Sequence, residues 1–149
     1  MNRRAMMTAV GGVAALSAAS ALGQAAAKAA PSAAPAAPAA NVNRALIDAA
    51  EHCAQTGRDC LDLCVRTLAK GDQMMAECSG TVRQMLPLCA AVAELARLKS
   101  PLLKAVAAAC AKACRECEAS CQKHAAHHAE CKACQDSCKL CAAECEKLA

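Results

Sequence analysis

From Asn43 onward the apolar positions recur at steps of three and four, not two. The pattern is plainest where the recurring residue is cysteine: Cys110, Cys114, Cys117 and Cys121, then Cys131, Cys134, Cys138, Cys141 and Cys145. Steps of 3 and 4 hold side chains on one face of an α-helix, as along a bundle seam. Two earlier segments carry a thinner version. One reads Cys53, Gly57, Cys60, Cys64, and the other Cys78, Val82, Met85, Cys89, Val92. Charged residues such as Glu116, Glu118, Lys123, Lys132 and Lys139 fall between these positions and read as a solvated outer face. No stretch alternates like a strand, and Ala, Leu, Lys, Arg and Glu dominate, all good helix formers.

Punctuation divides the pattern. Asn43 can cap a first helix over 44–70, and Gly71-Asp72 gives a stop and a new cap. A second helix then spans 72–99, and Pro87 should kink it. Ser100-Pro101 starts a third, with Pro at the first helical position. Between 102 and 148 there is neither Gly nor Pro, yet one uncapped helix of that length would be unusual. His124-Ala125-Ala126-His127-His128 is the natural turn, giving two halves of about 24 residues by analogy with the first two helices. The expected fold is all-α: an up-down-up-down four-helix bundle with a Cys-lined core, residues 43–149.

The first forty residues read differently. Arg3-Arg4 precede a mild apolar run over 9–22, followed by small residues with Ala-x-Ala-like sites near 23–27. This predicts a signal peptide over 1–27 of the twin-arginine type, and so an exported, periplasmic protein. The run is too short to span a membrane, so no membrane association is expected of the mature form. Residues 28–42, rich in Ala and Pro, read as an extended linker.

Composition sharpens the question. The chain of 149 residues has 14 Cys and no Phe, Tyr or Trp. Without aromatics it lacks the stacking platforms of nucleic-acid binders. Three of its 17 Lys and Arg (Arg3, Arg4 and Lys28) precede Asn41, so 14 cations face 13 acids in the body. Nucleic acid is therefore not an expected partner. Packing alone does not explain nine seam positions occupied by Cys. A disulfide-bonded structural protein fits export, but such scaffolds place their cysteines in loops, and helix neighbours are poorly placed for bridges. CxxC occurs at 114–117, 131–134 and 138–141, without the strand–helix context of a redox enzyme. No catalytic residues and no enzyme activity are expected.

Metal binding fits better. Residues 3 or 4 apart on a helix have Cβ atoms about 5–6 Å apart, a span that one ion between two thiolates can bridge. CxxxC pairs at 60–64, 110–114, 117–121, 134–138 and 141–145 can each clamp an ion. All-thiolate donors with Met nearby favour Cu(I), with zinc, as in a metallothionein-like buffer, as the alternative. One Cu(I) replacing one proton per thiol leaves a buried core neutral, whereas zinc at four thiolates leaves −2 with no cation on the stripe. The expected loading is about one Cu(I) per cysteine, using Cys53, Cys60, Cys64, Cys78, Cys89 and the nine from Cys110 to Cys145.

These residues resemble the cysteine-rich four-helix-bundle copper storage proteins, in particular the exported type. The resemblance covers the whole chain and is most specific from Cys110 to Cys145. It implies many Cu(I) ions held by thiols lining the bundle, and assembly as a homotetramer. The second helix departs from the pattern with only Cys78 and Cys89; Met85, a weak thioether ligand, stands between them. In such a bundle the loops near 71 and 126 share one end. Met74, Met75, His124, His127 and His128 gather there and suggest a relay passing copper to and from the core. His52 reads as a surface residue. Leu61, Leu68, Leu95 and Leu98 either flank the seam or form a subunit interface.

Overall fold

The computed structural model describes residues 43–148. The expected signal peptide (1–27) and the whole of the expected linker (28–42) lie outside the described residues, as does Ala149. Four helices account for most of what is described: α1 Arg44–Ala69, α2 Ala76–Arg97, α3 Leu103–Gln122 and α4 Ala129–Glu146. A single 3₁₀ turn, Gln73–Met75, precedes α2, and the described residues contain no strand.

Local chemistry sets the boundaries and moves the expected starts of α2 and α3. Gly71 ends α1 in the left-handed region at φ 87°, and its N–H reaches the Leu68 carbonyl at 2.9 Å. Asp72 does cap, but it caps the 3₁₀ turn: its carboxylate accepts from Met74 N–H at 2.9 Å. The α-helical ladder therefore starts at Ala76 and not at 72. Asn43 makes no side-chain cap; its Nδ2 donates to the Ala96 carbonyl at 3.4 Å and ties the start of α1 to the end of α2. Ser100 Oγ accepts from Leu102 N–H at 3.2 Å. That holds Pro101 and Leu102 in a turn, so α3 begins at Leu103 and Pro101 is not its first residue. Helix α2 runs unbroken through Pro87, which lies on the exposed side, where water can serve the carbonyl its missing N–H leaves.

At the end of α2, Lys99 adopts φ 51°. Its N–H reaches Ala96 O at 3.3 Å and the Ser100 N–H reaches Leu95 O at 3.0 Å, the paired closure usually made by glycine. A side chain in this conformation costs about 1 kcal/mol. Lys99→Gly is therefore expected to stabilise the metal-free bundle by about 1 kcal/mol. A urea midpoint that fails to rise would contradict this.

The break between α3 and α4 falls where expected. His124 and Ala125 N–H groups both reach Cys121 O, at 2.9 and 3.0 Å, and His128 N–H returns to His124 O at 3.1 Å. The turn consumes residues that would otherwise lengthen both helices, so α3 and α4 have 20 and 18 residues.

Each helix contacts two neighbours around a ring, α1–α2–α3–α4, with no backbone contact across the diagonals. Lys123 pairs with Glu77 at 2.7 Å and Arg66 with Glu130 at 3.9 Å. These pairs place the 70–75 connection and the 123–128 turn at one end, here termed the mouth. Arg97 pairs with Glu51 at the other. As exposed pairs they add at most about 1 kcal/mol each, but they fix the up-down-up-down order.

The interior is built from small side chains. The largest that are fully buried are Met75, Met85, Val82 and Val92. At the end away from the mouth the core is purely apolar, with Leu46, Ile47, Val92, Ala96, Leu103 and Ala107. Leu61, Leu68 and Leu95 pack partly buried against the core, while Leu98 is 66% exposed.

Candidate metal centre

All fourteen cysteines are free thiols and all are buried, none more than 1% exposed. The helical stripes converge on the axis as their spacing requires. Three of the CxxxC pairs bring their sulfurs within bridging range: 110–114 and 117–121 at 3.9 Å, 134–138 at 4.0 Å.

Contacts between helices are as short or shorter, and spacing alone did not show them. Cys53–Cys138 and Cys78–Cys121 lie at 3.6 Å, Cys60–Cys78 and Cys89–Cys110 at 3.7 Å, and Cys117–Cys134 at 3.8 Å. Diagonal helices meet across the axis through Cys60–Cys121 at 3.9 Å and Cys89–Cys141 at 3.8 Å. A metal about 2.3 Å from each of two sulfurs can span all of these distances.

The thiols form overlapping groups with sulfurs within 4.8 Å of one another: Cys110–Cys141–Cys145, Cys53–Cys89–Cys114–Cys141, Cys117–Cys134–Cys138, Cys60–Cys121–Cys134 and Cys60–Cys78–Cys131. Cys141, Cys134 and Cys60 each belong to two groups, and the Cys53–Cys138 contact joins the second group to the third. The result is a continuous column of sulfur from the apolar end to the mouth. Cys64 stands outside these groups, with Cys60 and Cys78 the sulfurs that act on its thiol.

Met85 completes the column where α2 lacks cysteine. Its Sδ accepts from Cys89 Sγ at 3.3 Å and from Cys53 Sγ at 3.5 Å. Gly57 makes the room: a Cβ there would lie 2.7 Å from Met85 Cε.

No described Lys or Arg is buried, so nothing in the column compensates a thiolate charge. Burial, with the neighbouring Cys60 and Cys78 sulfurs, pushes the Cys131 thiol up. Hydrogen bonds to Cys60 and Cys78, with burial, push Cys64 up. A soft monovalent cation that takes the place of each proton removes this penalty.

At the mouth the sequence-singled residues divide. Met75 is fully buried, and His124 is 9% exposed; His128 is half-buried. His124 follows Cys121 by three residues and His128 precedes Cys131 by three, so an imidazole stands in the chain just beyond the mouth end of each of the α3 and α4 stripes. Met75 precedes Cys78 by three in the same way. Met74, at 65% exposure, and His127 point outward. His52 is exposed.

Sequence reasoning passed over the buried hydroxyls. Thr56 Oγ1 and Ser137 Oγ lie 2.5 Å apart between α1 and α4, and Ser137 also donates to Cys134 O at 2.9 Å. Ser120 Oγ is buried without a hydrogen-bond partner among the described residues. Ser120 and Ser137 each precede a stripe cysteine by one residue, where a small side chain lets neighbouring helices close.

The family model for copper storage proteins (Csp) matches residues 39–149. Solved structures similar to this chain include three that each have a TM-score of 0.63. The Cu(I)-bound copper storage protein BsCsp3, from Bacillus subtilis, is 29% identical over 72% of this chain and 97% of its own. The copper storage protein Ccsp from Streptomyces lividans, loaded with 10 copper equivalents, is 27% identical over 77% and 91%. A cytosolic copper storage protein from Streptomyces lividans, with five coppers, is 28% identical over 70% and 89%. No curated protein matches.

Proposed function

The chain belongs to the copper storage protein family, and from that membership we propose that it stores Cu(I) at about one ion per thiol. All fourteen cysteines serve as ligands in this reading, with Met85 as an auxiliary thioether. The observation that carries it is the unbroken column of buried sulfurs with cross-helix spacings of 3.6–3.9 Å, far more donor sites than a carrier or an enzyme needs. Zinc has one specific point in its favour, the four-thiol group Cys53–Cys89–Cys114–Cys141. Filling it with zinc would leave a buried charge of −2 without a cation, so Cu(I) is preferred. Titrating the reduced chain with Cu(I) without oxygen, against a competing chelator, should saturate near fourteen equivalents. Saturation at one or two ions would overturn storage, and few free thiols with no binding would favour the disulfide-bonded alternative.

The same reading extends to the mouth. Met75 and His124, buried, and His128, half-buried, with Met74 and His127 exposed outside them, form a relay of weaker ligands through which copper passes. Replacing Met74 and Met75 together by Ala should slow Cu(I) uptake without reducing final capacity. Unchanged kinetics would remove the relay.

Export through a twin-arginine signal over 1–27, a linker over 28–42, and periplasmic storage remain part of the proposal. They are supported by Arg3-Arg4 and the run that follows. No described helix is long and apolar enough to cross a membrane. Assembly as a homotetramer is supported by exposed Val65, Leu98, Leu102 and Leu140.

A further inference from the structure

We propose that the mouth of the bundle also reduces Cu(II) to Cu(I), with two of the chain's own thiols as the electron source. The proposal rests on the storage reading, because the Cu(I) formed is kept by the thiols that remain.

Two donor chemistries meet at the mouth. Imidazole binds copper in its divalent state, whereas thiolate selects the monovalent ion. His124 is buried and His128 half-buried, each three residues along the chain from a column cysteine, Cys121 or Cys131. One turn further in, sulfurs from four helices crowd together. Cys78–Cys121 is 3.6 Å, Cys60–Cys78 3.7 Å, Cys60–Cys131 3.8 Å and Cys60–Cys121 3.9 Å. Cys78 and Cys121 belong to different helices, so they escape the geometry that disfavours bridges between helix neighbours. Closing 3.6 Å to a bonded distance of about 2.05 Å moves each sulfur by less than about 1 Å.

The step balances without another reductant. Two Cu(II) ions each take one electron from a thiolate sulfur they contact. The two oxidised sulfurs couple as a Cys78–Cys121 disulfide, two Cu(I) form, and the two thiol protons pass to solvent. The Cu(I) ions then move inward to sulfurs of the column. Every disulfide yields two Cu(I) and removes two ligands. The Cys78–Cys121 pair supplies only two electrons, so uptake from Cu(II) alone ends at two Cu(I) per chain, held by the twelve thiols that remain.

The test gives the reduced full-length chain aqueous Cu(II) without oxygen. The paramagnetic Cu(II) signal, the Cu(I) formed and the free thiols are followed together. The first two equivalents should lose their signal and consume two thiols, and peptide mapping should place the disulfide at Cys78–Cys121. With that pair spent, Cu(II) beyond two equivalents should keep its paramagnetic signal. His124→Ala with His128→Ala should slow signal loss at least tenfold at equal thiol count and helix content. A parallel titration with preformed Cu(I) separates this idea from storage. Full Cu(I) uptake with a persistent Cu(II) signal overturns the reduction and leaves storage standing, while failure to take up preformed Cu(I) overturns storage itself. Disulfides scattered along the column, or an unchanged rate in the double variant, overturn the assignment to the mouth.

Discussion

Loading the reduced chain with about fourteen equivalents of Cu(I) raises its thermal midpoint by more than about 30 °C. The metal-free core is the reason the rise is large. It has no aromatic side chain, and its largest fully buried side chains are two Met and two Val, so hydrophobic burial per residue is modest. Copper bridges the seams that this core leaves weak. The shortest cross-helix contacts join α1 to α4 (Cys53–Cys138), α1 to α2 (Cys60–Cys78), α2 to α3 (Cys78–Cys121) and α3 to α4 (Cys117–Cys134). A ligand at a hundredfold excess over its dissociation constant contributes about 2.7 kcal/mol at each site on the native state. Five such sites match the whole stability of an ordinary domain, about 5–15 kcal/mol. Each kcal/mol moves the midpoint of a domain this size by about 4–8 °C. Circular dichroism at the helix band, with and without a strong Cu(I) chelator, measures the shift and its reversal. A rise below about 10 °C with copper bound would mean that the ions do not cross-link helices.

The metal-free bundle unfolds as pH rises from 8 to about 10.5, and the copper-loaded bundle does not. A thiol in the unfolded chain ionises near its ordinary value, 9.0. In the bundle burial pushes Cys131 above that value, and hydrogen bonds to Cys60 and Cys78 do the same for Cys64. Hydrogen bonds from neighbouring sulfurs lower Cys53, Cys60 and Cys117, but more thiols are raised, Cys89, Cys121 and Cys138 among them, so on balance the folded state keeps protons that the unfolded state releases. Their contribution to stability is complete below pH 9 and is lost as pH climbs through and beyond it. Each such thiol costs up to about 1.4 kcal/mol per pH unit, so a handful exhausts a typical domain's stability within one or two units. Copper removes the effect because the loaded thiols carry no proton to release. A metal-free melting temperature unchanged between pH 8 and 10 would refute the account, as would an equal loss in the loaded protein.

Much of this molecule was readable along the chain. Steps of 3 and 4 between Cys110 and Cys145 put nine thiols on helical stripes because α-helical periodicity is a local property. The turn at 124–128 and the stop at Gly71 were legible for the same reason. The helix starts were less so. Asp72 and Ser100 both cap, as their residue types suggest, but each caps a tighter turn first, and the competition between 3₁₀ and α geometry within one turn is not written in residue type.

By itself, the sequence determined that this is an all-α chain whose thiols share one side of each helix, and that those thiols are too numerous for packing or a single redox pair. It could count ligands within a helix because 3.6 residues per turn fixes those distances. The tertiary structure decided which sulfurs meet between helices. It brought Cys53 to Cys138 and Cys78 to Cys121, seated Met85 over Gly57, and closed one end of the column with Leu46, Ile47 and Leu103 while leaving His124 and His128 at the other. Rotation and axial shift of one helix against its neighbour are set by how all four faces pack at once. No single stripe carries that information, so the column exists only in the folded bundle.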